Sequence, residues 1–203
     1  CGIRLHIPGV PEGKPNNFTD DGGDATHIEN LLFENIAIDS CVTSPIEIIV
    51  HPGNKIDLIR GIRFNNILSK SGRMPVIKSR DEAPIERVTF SNCTFEGPLE
   101  LMGKDPSVAS SAIKGGITAQ NTGCTVENCL ILSAATGLTA KDGSKVFLVN
   151  NTFYSNDKDL SVEAGCTVNA YNNIFASEST VSGTLNADYN CYSDSLPSDY
   201  LNT

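Results

Sequence analysis

Glu47 and Glu100 are the two carboxylates whose setting suits general acid and base chemistry. Each sits between apolar residues in a short strand-like segment, Ile46-Glu47-Ile48 and Leu99-Glu100-Leu101. Single-displacement glycoside hydrolysis needs an acid and a base far enough apart to admit a water, and two strands' separation on the order of 10 Å is near the upper limit for such a pair. A solvated surface glutamate is the ordinary alternative for each. Asp20, Asp21 and Asp24 gather oxygen ligands in one loop that could cradle calcium, with a solvated polar loop as the alternative. His6, His27 and His51 all fall in the first quarter of the chain without a signature neighbour, which argues against a Ser or Cys triad.

The elements that must position these residues come from a repeat. Asn35, Asn66, Asn92, Asn128, Asn150 and Asn172 each follow two apolar residues at alternate positions and, except at Asn66 where Ser69 stands, precede an apolar residue three places on. The period of two marks a strand with one buried face. Successive spacings are 31, 26, 36, 22 and 22 residues, which suits coils of a parallel β-solenoid lengthened by insertions. A second strand follows in each coil: Ile46-Glu47-Ile48, Val76-Ile77-Lys78, Leu99-Glu100-Leu101, Leu138-Thr139-Ala140 and Leu160-Ser161-Val162, with Ile3-Arg4-Leu5 as the earliest copy. No segment shows helical periodicity. The expected fold is an all-β, right-handed parallel β-helix of about seven coils, the hand following from parallel-crossover chirality.

At a coil corner the stacked Asn amides are expected to bond along the axis and to satisfy buried turn groups. Stacking the second strands sets Arg4, Glu47, Ile77, Glu100, Thr139 and Ser161 in one outward row, with His6, Ile49, Ser79, Met102, Lys141 and Glu163 in the next. Pro8 to His27 and Gly103 to Gly116 are expected as insertions walling a groove beside that row.

With 203 residues, the chain is expected to form one domain over 1–203 with a single narrow core. No apolar run reaches the length of a membrane span. The chain starts inside a strand-like segment, so the solenoid is expected to be incomplete at its N-terminal end, with missing earlier coils or a partner chain covering that edge. A net charge of −9 argues against nucleic acid as a partner. The charge is uneven: Lys55, Arg60, Arg63, Lys70, Arg73, Lys78, Arg80 and Arg87 outnumber the acids between His51 and Arg87, a local excess that could attract an acidic glycan or form a solvated turn face. Of the seven cysteines, Cys93 and Cys129 are expected at equivalent corners of neighbouring coils, as buried thiols or as a bridge.

Four segments carry a family resemblance. Gly2-Ile3-Arg4-Leu5-His6, Ile28-Glu29-Asn30-Leu31-Leu32-Phe33-Glu34-Asn35-Ile36, Pro45-Ile46-Glu47-Ile48 and Pro84-Ile85-Glu86-Arg87-Val88-Thr89-Phe90-Ser91-Asn92-Cys93 resemble the C-terminal part of polygalacturonases, glycoside hydrolase family 28. The resemblance covers about residues 1–96; residues 97–203 are similar to generic β-helix coils with a C-terminal cap. It implies that Arg4 binds a substrate carboxylate and that His6 stands where the family has a lysine. Histidine, with a reference pKa of about 6.5, is only partly charged where lysine is fully so.

The family's Asn-x-Asp strand and Asp-Asp pair would precede Cys1, and Asp20-Asp21 follows the Arg4 strand and does not fill that role. The resemblance therefore implies the C-terminal portion of a secreted, periplasmic or cell-surface hydrolase that cleaves an acidic, pectin-type polysaccharide with inversion. It implies no cofactor; calcium at the aspartates is a separate reading. The alternatives are a non-catalytic glycan-binding or structural β-helix, and a polysaccharide lyase on the same fold.

Overall fold

The computed structural model describes residues 2–7, 27–50, 58–79 and 84–193; for Arg4 and His6 it describes the backbone. Asp20, Asp21 and Asp24 lie outside the described residues, as does the segment from Pro8 to Thr26. Among the described residues every regular element is a strand, and each strand pairs in parallel with its counterpart in the next coil. The chain is a right-handed parallel β-helix, as the repeat predicts.

Three walls close each regular coil. The first wall has Ile3–Ile7, Ile46–Val50 and Val76–Ser79 in a three-stranded sheet, then Leu99–Leu101, Ile117–Gln120, Thr136–Lys141, Lys158–Val162 and Ser179–Val181 in a five-stranded one. The second and third walls belong to one 14-stranded sheet that bends at a corner. A further sheet of His27–Glu29, Leu58–Arg60 and Ile85–Glu86 serves the early coils.

The bend is where the repeated asparagines sit. Asn35, Asn66, Asn92, Asn128, Asn150 and Asn172 all have φ between 53° and 57°, the left-handed region that asparagine tolerates better than most residues. Backbone pairing runs through the corner, with Asn128 N–H donating to Val149 O at 3.0 Å and Asn150 N–H to Tyr171 O at 3.1 Å. Two further corners carry other residues, Ser110 at φ 50° and Tyr189 at φ 55°. The 36-residue gap between Asn92 and Asn128 is therefore no insertion. It holds a complete coil, Ser107–Ala109, Ala112–Lys114 and Ile117–Gln120, and the expected groove wall at Gly103 to Gly116 is absorbed into it. Five regular turns stack through the five-stranded sheet, and looser turns precede them through separate three-stranded sheets, in place of the uniform stack of about seven expected.

Inward residues keep the predicted phrase. Two and four places before each regular corner lie buried pairs such as Val126 and Cys124, Leu148 and Val146, and Ala170 and Val168; three places after lie Phe95, Ile131, Phe153 and Phe175. Rings stack along the axis, Phe33 on Phe64 at 5.2 Å, Phe64 on Phe90 at 5.0 Å, and Phe153 on Phe175 at 5.0 Å between centroids. Each such pair contributes about 0.5–1.5 kcal/mol beyond burial.

The amide ladder that satisfies buried groups is one residue further along than expected. Corner asparagines are exposed and form no continuous ladder: Asn66 Nδ2 donates to Asn35 Oδ1 at 2.8 Å and Asn150 Nδ2 to Asn128 Oδ1 at 3.3 Å, while Asn92 Nδ2 donates to Asn65 Oδ1 at 2.9 Å. The continuous interior ladder is Asn151, Asn173 and Asn190. Asn173 Oδ1 accepts from Asn151 N–H at 2.9 Å and from Asn151 Nδ2 at 3.0 Å, while Asn173 Nδ2 donates to Leu148 O at 3.0 Å. Ser111 and the thiols of Cys93 and Cys129 hold the same position in earlier coils, where Ser111 Oγ accepts from Cys93 N–H at 3.0 Å.

The two asparagine ladders separate by mutation. Asn173→Ala leaves buried backbone groups unpaired and is expected to destabilise by about 2–4 kcal/mol, whereas Asn172→Gly keeps the left-handed corner and costs about 0.5 kcal/mol or less. Urea denaturation midpoints of the two variants check this; equal losses would contradict the division of labour.

Candidate functional site

The first wall orders its outward residues by strand register. Backbone pairing sets Arg4 beside Glu47 and His6 beside Ile49, then Glu47 beside Val76. In the five-stranded sheet, Glu100, Thr118, Thr139, Ser161 and Thr180 stack in one unbroken row. Buried residues flank this row: Leu99 and Leu101 beside Glu100, Ile117 and Ala119 beside Thr118, Leu138 and Ala140 beside Thr139. Alternation alone therefore turns the polar side chains outward, at about 4.8 Å intervals along the axis.

This row differs from the expected one at three points. Val76, and not Ile77, neighbours Glu47, because the Val76–Ser79 strand is shifted by one residue in the ladder. Thr118 enters between Glu100 and Thr139, because the coil around Ser110 is a full one. The expected second row gains Gln120 beside Lys141 for the same reason. The alternation of Ile117-Thr118-Ala119, in phase with Val108 and Ile113 around Ser110, carried the signal; attention to asparagine as the corner residue hid it.

The two candidate carboxylates occupy different surroundings. Glu47 is buried, with 7% of its surface exposed, whereas Glu100 is half-buried. They share a wall but belong to separate sheets, since the ladder is interrupted between Val76–Ser79 and Leu99–Leu101. At the interruption a void of about 20 Å³ is lined by Ile77, Val88, Phe90, Glu100, Leu101 and Met102. A void of that size has room for about one water. Of the two, Glu100 is thus the carboxylate at an opening in the wall.

Several cations of the basic stretch are spent on acids of adjoining coils. Arg60 donates to Glu29, and Lys70 Nζ lies 2.8 Å from Asp39 Oδ1. The hydrogen bond and charge of Lys70 hold the exposed Asp39 carboxyl below its usual range. Arg63, Arg73 and Arg87 remain exposed. Among the described residues no group of three or more His, Cys, Asp or Glu side chains is placed to hold a metal ion, and no helix is long and apolar enough to cross a membrane.

Cys93, Cys124, Cys129 and Cys166 are core residues here. Cys93 and Cys129 are both free and lie two coils apart, with Ser111 between them; two rungs of about 4.8 Å exceed the reach of a disulfide. Burial raises the Cys93 thiol, pushes Cys129 up to about 11 and pushes Cys124 up to about 12. A nucleophilic cysteine needs the opposite shift.

Residues 59–198 match the family of right-handed β-helix regions, a stretch that runs across the boundary near residue 96 where the polygalacturonase resemblance ends. No curated protein and no solved structure matches the chain.

Thiol chemistry tests this placement. In native protein the exposed Cys191 is expected to react with a thiol reagent at pH 8, while Cys93, Cys124 and Cys129 react only after unfolding. The raised thiols also set a pH dependence. Unfolded thiols release their protons near 9.0 and folded Cys124 holds its proton to about 12. Their contribution to stability is therefore full below pH 9.0 and is lost as pH rises from there toward 12. A denaturation midpoint that is flat across that window would contradict it.

Proposed function

The chain belongs to the right-handed β-helix family, and on that premise we propose that it engages a polysaccharide along its first wall. The observation that carries this is the row Glu100, Thr118, Thr139, Ser161 and Thr180, polar and in register on a rigid sheet. A linear glycan presents hydroxyls at repeating intervals, and a straight ladder of hydroxyls with one terminal carboxylate offers repeating donors and acceptors to meet them. Because the row is built on strands, it is ordered before binding and little freedom is lost on association.

The finer reading is a polygalacturonase-like glycoside hydrolase acting on an acidic, pectin-type polysaccharide outside the cell or at its surface. Arg4 and His6 then hold a sugar carboxylate, and the acid and base come from coils stacked beyond Ile3–Ile7. What supports it is the resemblance of residues 1–96 together with the backbone register that sets Arg4 on the same wall as the polar row. A second reading, non-catalytic glycan binding, is favoured by the separation of buried Glu47 from half-buried Glu100 into different sheets.

Calorimetric titration with oligosaccharides of a pectin and of a neutral galactan tests the shared reading. Thr139→Val together with Ser161→Ala removes two hydroxyls and is expected to weaken binding about tenfold or more, with the fold intact. Unchanged affinity would remove the first wall as the glycan surface. Release of reducing ends by the full-length protein distinguishes hydrolase from binding module.

A further inference from the structure

A second polar feature lies beside the first wall, at the turns that lead out of its strands. A shallow depression of about 280 Å³ is lined by Lys104, Asn121, Thr122, Gly123, Gly143 and Lys145, with Gly103 at its rim. These residues come from three successive coils, just past Leu99–Leu101, Ile117–Gln120 and Thr136–Lys141. Each of those strands contributes to the polar row, so the depression runs parallel to it.

Its floor is open because it is built from glycine. A Cβ on Gly123 would meet nothing nearer than Lys145 O at 4.0 Å, and one on Gly143 would have no neighbour within 4 Å. The backbone beneath is fixed. Thr122 Oγ1 donates to Gly103 O at 2.6 Å, Thr122 N–H donates to Ser144 Oγ at 3.2 Å, and Lys104 N–H donates to Ile85 O at 2.7 Å. Thr122 and Ser144 are buried, so the cradle does not depend on surface side chains for its shape.

The lining carries two cations and no carboxylate. Among the described residues Lys145 is exposed with no ion-pair partner, and Lys104, 70% exposed, reaches Glu86 only at 3.8 Å. The Asn121 side chain is exposed and makes no hydrogen bond among the described residues. Asp142, next to Gly143, accepts from the neutral amide of Gln120 at 2.8 Å, so its carboxylate lies outside the lining but close to it. Lys145 and Asn121 thus offer unspent donors beside an open floor, and Lys104 offers a third that it shares with Glu86. With acids close by at Glu86, Asp105 and Asp142, two ammonium groups hold a free anion weakly and favour one attached to a chain that the neighbouring surface also holds.

We propose that this depression is a binding site for the anionic group of an acidic saccharide, a carboxylate or sulfate ester, whose chain lies along the first wall. Lys104 and Lys145 meet the anion from its two sides, Asn121 donates a further hydrogen bond, and Gly123 and Gly143 let the sugar ring approach the backbone. This inference rests on the first wall being the glycan surface. It adds that charge is recognised at the turns, so acidic and neutral glycans are distinguished there and not in the hydroxyl row.

Calorimetry on the whole chain tests it with three probes of equal length: an oligogalacturonide, a sulfated oligosaccharide and a neutral galactan oligosaccharide. Lys104→Gln with Lys145→Gln is expected to weaken acidic ligands about tenfold or more, to flatten their salt dependence, and to leave the neutral ligand unchanged. Gly123→Glu fills the floor with a carboxylate at a position with no backbone strain and is expected to abolish the acidic preference. The probe that responds identifies the anion as carboxylate or sulfate. Acidic binding that survives both variants overturns this inference and leaves the first-wall reading standing. Inorganic sulfate binding as tightly as the oligosaccharides also overturns it, because the site would then take a free anion. Failure of the unaltered chain to bind any of the three removes the first-wall reading and this one together.

Discussion

The left-handed corner is the constraint on which the rest of the molecule depends. A parallel strand must turn by a large angle without breaking its pairing to the coils above and below, and a single residue at φ near +55° does this. Because the corner residue keeps its own N–H in the ladder, the second and third walls remain one sheet. The corner also fixes phase. Once it is set, alternate residues before it and the third residue after it must face inward, and every outward position along the coil is determined as well.

That phase explains why the interior is polar beside this corner. The residue directly after the corner points inward beside backbone groups that the turn leaves unpaired, and Asn151, Asn173 and Asn190 supply both donor and acceptor there. A hydroxyl at Ser111 or a thiol at Cys129 meets part of the same need. In a low-dielectric interior a fully satisfied ladder rigidifies its surroundings. Rigidity at the corner is transmitted to the strands on either side, and hence to the positions of side chains on the first wall.

Much of this was legible in the sequence, because the alternation that buries a strand face is itself the signal. Val126 and Cys124 before Asn128, with Ile131 after it, announce a coil without any structure. What misled was residue identity. Asparagine is frequent at the corner because its short amide tolerates the left-handed region, but Ser110 and Tyr189 occupy it too, so counting asparagines lost a coil and left Thr118 out of the row. The same habit assigned the interior ladder to the corner residue when the neighbouring Asn151 and Asn173 carry it. The one-residue shift that brings Val76 beside Glu47, and the burial of Glu47, depend on how separate sheets meet. No local pattern in the sequence encodes that.

The division between buried and outward positions also bears on where function can reside. Inward residues answer to stacking in both neighbouring coils, as Phe64 does between Phe33 and Phe90, so a change there is felt three coils deep. Outward residues on the first wall carry no such burden, and neither does Gly123, where a Cβ would meet nothing nearer than Lys145 O at 4.0 Å; Gly143 at φ 76° has the space but needs the left-handed backbone that glycine gives. Chemistry can therefore vary on that wall without cost to the coil. Hydroxyls in the row and cations at the turns would, on the proposed reading, give one rigid scaffold two ways of reading a glycan, by its hydroxyl spacing and by its charge. A solenoid suits the hydroxyl row, because each added coil extends it by one residue in register.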